Sequence, residues 1–227
     1  MDLRAVECHA CRRAKKTARH TTKGDAKMKT LHAAAAIAAV SLLMSGCAAG
    51  LMRPAPSEQI SAPAADQAQV VFMRTSFVAG AIGCDLFEVV DGELRFIGQL
   101  PYGNKVVYAT TPGDKVFMAY GTAADFMLAK LQGGKTYYSI VRPNWATGGF
   151  APTPIRKQSA SEPTFDSQEF RDWTAGTKLL VPTADAAAWF RDNKARMQAI
   201  YTEYWRRFQT KTEQEKYFRT LQPEDGR

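Results

Sequence analysis

From residue 69 onward the chain sets short apolar runs between turn residues, a rhythm that predicts strands. Val70-Val71-Phe72-Met73 is the first run. Residues 82–90 form the second, with Leu86, Val89 and Val90 available to a core. Asp91-Gly92 then marks a tight hairpin turn into residues 93–97, because glycine takes positive φ without steric cost. Residues 105–110 and 115–120 are further strand candidates. Between them stands Pro112-Gly113, in which proline fixes φ at the second turn position and glycine accepts the third. Residues 122–131 fit a short helix or a strand by periodicity. Gly133-Gly134-Lys135 turns the chain into residues 136–141, a strong strand pattern. Residues 150–155 suit an edge strand, since Pro152 and Pro154 lack the N–H that an interior strand needs. Runs recurring at about 8–14 residues favour a sandwich over β-α-β units. The expected fold class is therefore mainly β with an α tail: an Ig-like, Greek-key antiparallel β-sandwich over residues 70–155, followed by C-terminal helices.

The period changes after residue 155. Residues 156–182 read as a connecting segment with one short helix, opened by Asp166-Ser167-Gln168-Glu169, carrying Phe170 and Trp173 on one side and ended by Gly176. Thr183 is placed to cap a long helix, with Asp185 in its first turn complementing the dipole. Phe190, Met197, Tyr201, Tyr204 and Phe208 share one face of that helix. Thr212-Glu213-Gln214-Glu215 is a capping box for a last helix with Tyr217, Phe218 and Leu221, stopped by Pro223. The helices of residues 183–222 are expected to pack on the sandwich. Trp189 and Trp205 also lie among Arg191, Lys194, Arg196, Arg206, Arg207 and Lys211, so an interfacial helix on anionic lipid is the alternative. Docking is favoured, because an amphipathic stripe is the ordinary state of a surface helix.

The region before residue 70 has a different character. Residues 47–69, with Pro54, Pro56 and Pro63 among Ala and Ser, show no amphipathic period and read as a flexible tether. Semi-extended, it could reach about 60–70 Å. Upstream, Met28-Lys29 opens a positive start and residues 31–44 form an apolar run, the proportions of a signal peptide over 28–46. The run is too short to span a bilayer comfortably. Leu43-Met44-Ser45-Gly46-Cys47 closes it and resembles the lipobox of bacterial lipoproteins, with Met44 standing where the pattern usually has leucine. The resemblance implies cleavage between Gly46 and Cys47 and a diacylglycerol thioether on Cys47. Ala48, next in line, resembles the outer-membrane sorting pattern of Gram-negative envelopes. Residues 1–27 fit no part of such a leader. The expectation is that translation starts at Met28 and that 1–27 is a mis-annotated extension.

That boundary changes what composition means. The 227-residue chain carries a formal net charge of +8. Residues 1–46 hold nine Lys and Arg against three Asp and Glu, leaving the remainder at a net +2. The electrostatic case for a nucleic-acid partner disappears with the leader. His9, His20 and His32 all precede residue 47, so no Ser-His-Asp, Cys-His or histidine-bearing zinc site is available after it. Cys8-His9-Ala10-Cys11 with His20 lacks the second ligand pair of a structural zinc site. No metal and no cofactor is expected. Cys84 is the one cysteine beyond Cys47, and its apolar segment predicts a small buried side chain rather than a reactive thiol.

The opening strand from Val70 to Arg74, the turn Thr111-Pro112-Gly113-Asp114 before Lys115-Val116-Phe117, the segment Ala124-Asp125-Phe126-Met127 and Gly133-Gly134-Lys135-Thr136-Tyr137-Tyr138 occur in that order downstream of the lipobox. In this arrangement residues 69–143 resemble a family of bacterial lipoprotein domains of unknown function with small β-sandwiches. The resemblance covers about a third of the chain and excludes the helical tail. It implies that residues 126–131 are strand, and it implies no catalytic residues.

Three kinds of site remain. Asp85, Glu88, Asp91, Glu93, Asp114 and Asp125 lie in or beside the β region, and a pair of them facing across a cleft would suit a carboxylate-dependent hydrolase. Asn144-Trp145-Ala146-Thr147-Gly148-Gly149-Phe150 is a glycine-bearing loop whose Trp145 and Phe150 could grip a sugar or peptide, or else seal one end of the core. Trp205 is the aromatic of the tail that could meet a lipid surface. The expected function is a non-catalytic binding or envelope-structural module. It would be held at the periplasmic face of the outer membrane by lipid on Cys47, with an envelope protein or peptidoglycan as partner.

Overall fold

The computed structural model describes residues 50–77, 82–160 and 163–227. Gly46, Cys47, the 31–44 run and Cys8, Cys11 and His20 lie outside the described residues. The described chain forms two mixed sheets. One has the order β1 (Met52–Pro54), β10 (Lys178–Pro182), β5 (Asn104–Thr110), β2 (Ala68–Arg74), β8 (Thr136–Asn144), β9 (Gly149–Pro154). The other has the order β11 (Thr220–Leu221), β7 (Ala124–Leu131), β6 (Gly113–Tyr120), β3 (Cys84–Val90), β4 (Glu93–Leu100). Three helices follow the main strands: α1 (Gln168–Gly176), α2 (Ala184–Gln209) and α3 (Glu213–Phe218).

The sandwich with a helical tail is the architecture that the pattern predicts. Its sheets are mixed rather than wholly antiparallel: β2 pairs β8, β10 pairs β5, and β11 pairs β7 in parallel. The reason is that the central strand β2 meets partners distant in sequence on both edges, and only hairpin neighbours are forced to be antiparallel. The Asp91-Gly92 hairpin joins β3 to β4 with Asp91 at φ 53° and Gly92 at φ 79°. Residues 122–131 resolve as strand, starting at Ala124.

The core is layered. Val70, Phe72, Leu86, Phe117, Met127, Tyr137 and Val141 meet between the sheets. The alternate residues Val71, Met73 and Ile140 face outward and are covered by Phe165 and by Phe170 of α1. On the far side, Phe87, Met118 and Phe126 are covered by Met197, Tyr201 and Phe208 of α2. With helices on both outer faces, β2 loses its alternation and every one of its residues is buried. The aromatic stripe of α2 is thus spent on the sheet. Trp205 lies 5.1 Å from the Phe126 ring and stacks on Phe208, which removes that face from any lipid.

Three expectations are corrected. The stretch 47–69 is not a free tether from Gly50 on. Met52–Pro54 pairs antiparallel with β10, Leu179 N–H donates to the Glu58 carboxylate, and Gln69 Nε2 donates to Ser61 O. Met52 also packs where a side chain on Gly98 would sit, 2.8 Å from that position, so a glycine there lets the edge of the sandwich close. The sandwich is not confined to residues 70–155, since β1, β10 and β11 come from the presumed tether, the connecting segment and the tail. Finally, Thr183 flanks α2 but its hydroxyl does not cap it. It donates to Gly50 O at 3.0 Å, and its N–H donates to Leu51 O. The box at Thr212 forms as expected, and Glu215 is held below the usual carboxylate range by the Thr212 N–H and hydroxyl.

Candidate functional site

Four connections gather at one end of the sandwich: the chain after β2, the β4–β5 turn, the β6–β7 turn and the β8–β9 turn. Their proximity follows from the registers, which place Arg74 opposite Asn104, Cys84 opposite Leu100, Tyr120 opposite Ala124, and Asn144 opposite Gly149. Arg74, wholly buried, ties this end from below. Its Nη1 donates to Ile82 O at 2.6 Å and Leu100 O at 3.1 Å, and its guanidinium lies 4.1 Å from the Phe150 ring centroid. Burial lowers its pKa, with the adjacent Cys84 pulling it back up. Burial likewise pushes the Cys84 thiol well up, Asp85 adding to the shift, so the thiolate nucleophile is not available there.

The two aromatics of the β8–β9 region part ways. Phe150 is 2% exposed and sits between the sheets, where Gly121 leaves room for its ring. It seals the core and is not an interaction residue, because a β-strand sends residue 150 inward once pairing starts at Gly149. Trp145 is 80% exposed at the tip of the turn. The turn beneath it is fixed by Asn144, whose Oδ1 accepts from Ala146 N–H and whose backbone O accepts from Gly148 N–H at 2.8 Å. Asn144 Nδ2 donates to Asp125 Oδ2 at 2.8 Å, and Arg219 Nη2 donates to the same oxygen at 3.0 Å. Asp125 Oδ1 accepts from Phe126 N–H. The exposed indole therefore stands on a backbone held from β7 and from the chain after α3.

Beside Trp145 runs a cleft of about 680 Å³ over the outer face of β8 and β9. Arg142 and Thr153 are on its floor strands, Trp173 of α1 lines it from another side, and Arg219 joins from the tail. Its size is that of ordinary ligand pockets. Sequence reasoning found Trp145. It read Trp173 only as the apolar side of a short helix and had no signal for Arg142 or Arg219, whose relation to Trp145 exists only in three dimensions.

The carboxylates do not converge on this cleft. Glu88 is buried between the sheets, accepting from Tyr108 and Thr110 hydroxyls. Glu93 pairs with Lys194 of α2, and Asp91 forms the hairpin turn. Asp85 is 8% exposed and accepts from Gln99 Nε2 at 2.9 Å. Burial raises its pKa against the opposing effects of Gln99 and Arg196. A raised carboxyl favours the folded state while protonated and costs stability as pH rises from its ordinary value through the raised one. Asp85→Asn is accordingly expected to gain stability relative to the parent between about pH 4 and about pH 7. Urea unfolding at both pH values checks this; a difference that shrinks with pH contradicts it.

Among the described residues, no three His, Cys, Asp or Glu side chains cluster as a metal site, and no helix is long and apolar enough to cross a membrane. In comparisons with known proteins, no family model and no curated sequence matches the chain.

Proposed function

We propose that the protein is a bacterial envelope lipoprotein, anchored by lipid on Cys47. Its folded part would be a non-catalytic binding module with the Trp145 cleft as its ligand site. The observation that carries the binding reading is Trp145 itself: a large aromatic left 80% exposed on a turn that several hydrogen bonds hold rigid. Exposed rigid aromatics offer contact area at little conformational cost. The anchor reading is supported by the lipobox-like Leu43-Met44-Ser45-Gly46-Cys47 at the end of an apolar run.

Docking of the chain from Gly50 alters what the anchor would do. Three peptide units separate Cys47 from Gly50, a reach of at most about 11 Å. A lipidated Cys47 would hold the folded unit close to the bilayer surface. Gly50 and Leu51 enter beside Thr183, at the Pro182 end of β10, whereas Lys178 at its other end is bonded to Gly103 among the gathered turns. The cleft would then face away from the anchored end and into the periplasm. Cys47→Ser is expected to abolish incorporation of labelled fatty acid and to move the protein from the membrane to the soluble fraction. Undiminished lipid labelling and membrane retention of the variant would overturn the anchor.

A further inference from the structure

We propose that the end of the sandwich where the four connections gather is a lipid-binding tip, from which Phe77, Ile82, Tyr102 and Trp145 enter the headgroup layer of a bilayer. This rests on the binding-module reading of Trp145 and names a lipid surface as what it meets.

Phe77, Ile82, Tyr102 and Trp145 are all exposed, and all four stand on these connections. They are neighbours. The Phe77 and Tyr102 rings meet edge to face with centroids 5.6 Å apart. Ile82 and Trp145 line one small cavity of about 110 Å³, and Ser76, next to Phe77, lines the larger cleft with Trp145. Clustered apolar side chains left in water mark a contact surface.

Charge decides what meets it. Among the described residues of the four connections (75–77, 82–83, 101–103, 121–123 and 145–148), none is Asp, Glu, Lys, Arg or His. Arg74, Asp85, Lys105 and Asp125, at the strand ends below, are buried, and Asp125 is paired with Arg219. Arg142 is exposed but lies on β8 itself, below the turn. The connections at the other end of the sheets carry Asp91 and Lys135. An uncharged tip gives up no ionic hydration on entering lipid. Turn N–H and C=O groups cannot enter hydrocarbon unpaired, so entry stops in the headgroup layer. Tryptophan and tyrosine are favoured at that depth, where a ring is half apolar and half wet. The hydrogen bonds of Asn144 already fix the Trp145 turn, so binding orders little.

A protein partner is the competing occupant. Such contacts use charge around an apolar centre to steer approach and fix register, and these turns supply none. The tip lies at the opposite end of β10 from Gly50, so the lipid surface it meets would be a different one from that holding Cys47.

The test uses the full chain with Cys47→Ser, which cannot carry the thioether lipid, so its outcome does not depend on the anchor. Tryptophan emission is titrated with vesicles of phosphatidylcholine brominated near the headgroup end of its chains. Part of the emission is expected to be quenched saturably, and that part is expected to be missing after Trp145→Phe. Bromine near the methyl end should quench it less, because the turns stay in the headgroup layer. Phe77→Asp is expected to raise the lipid concentration for half-quenching about tenfold, with an unchanged melting temperature because Phe77 is exposed. Emission unaffected by about 5 mM lipid overturns the proposal. So does equal quenching after Trp145→Phe, which would place the contact on another face. Binding that appears only when phosphatidylglycerol is added also overturns it, since an uncharged tip needs no anionic lipid. Each of those results would leave the Trp145 cleft to a soluble ligand or a protein, and lipid labelling of Cys47 is read separately.

Discussion

Glu88→Ala is expected to lower the unfolding free energy by about 3–5 kcal/mol, the cost of breaking a buried charged network from one side. Glu88 is 1% exposed and lies on β3 with its carboxylate between the sheets. One oxygen accepts from Tyr108 Oη at 2.8 Å, the other from Thr110 Oγ1 at 2.7 Å, and Lys115 Nζ stands 3.7 Å away. Tyr108 and Thr110 are on β5 of the opposite sheet, so this side chain fastens the two layers. Removing it takes the shared acceptor from two half-buried hydroxyls and the counter-charge from Lys115, whose ammonium keeps Thr111 Oγ1 at 2.8 Å. The phenol is correspondingly hard to ionise: burial raises its pKa first, and the bond to Glu88 raises it further. For a chain of this length the loss should lower the melting temperature by about 10 °C. Glu88→Gln keeps an acceptor and the side-chain volume and should cost less than half as much. Equal melting temperatures for Glu88→Ala and the parent would show that the sheets are held without this bridge.

Glu88 also shows where sequence reading stops. Its polar character on a strand pointed to solvent or to catalysis, and nothing in the local pattern said that three partners from two other strands would surround it. What was legible were features set by neighbours in sequence. Asp91-Gly92, Pro112-Gly113 and Gly133-Gly134 announce turns because positive φ and fixed φ are properties of those residues. The stripe on α2 announces a buried face because 3.6-residue periodicity is local. Partnership across the sheets is not local. Val70 pairs Tyr137 in parallel and Met52 pairs Pro182 across 130 residues, with no short-range signature of either. The three residues of β1 sit in a Pro- and Ala-rich stretch whose composition is that of a linker, so only their partner makes them a strand. The candidate site divides the same way. Trp145 was visible as an aromatic in a glycine-bearing loop, whereas the cleft beside it needs Trp173 and Arg219 from later elements. The sequence could not separate Trp145 from Phe150, because which of them faces inward depends on where strand pairing resumes.

Asp225→Ala is expected to destabilise the fold by a similar amount, about 3–5 kcal/mol, although it lies only two residues from the last one. The tail is built into the sandwich. Leu221 is fully buried in the central core, and Thr136 and Arg227 exchange backbone hydrogen bonds at 2.8 and 3.0 Å. The Arg227 guanidinium lies 3.9 Å from the Phe165 ring centroid. Asp225, 3% exposed, accepts from Lys157 N–H and Gln222 N–H and pairs with Arg156 Nη1 at 3.1 Å. Arg156, 5% exposed, also donates to Thr220 O and Tyr217 O, so it joins the exit of β9 to the turns of the tail. Loss of Asp225 leaves that guanidinium buried without its counter-charge, which is the main source of the expected cost. Removing both charges should therefore hurt less than removing one. The double variant Arg156→Met/Asp225→Ala is expected to recover about 1–2 kcal/mol of the loss seen with Asp225→Ala alone, measured by urea unfolding. Strict additivity of the two substitutions would mean that Asp225 acts only through the backbone N–H groups it caps. It would also mean that the tail is held by Leu221 and the Thr136–Arg227 pairing rather than by charge.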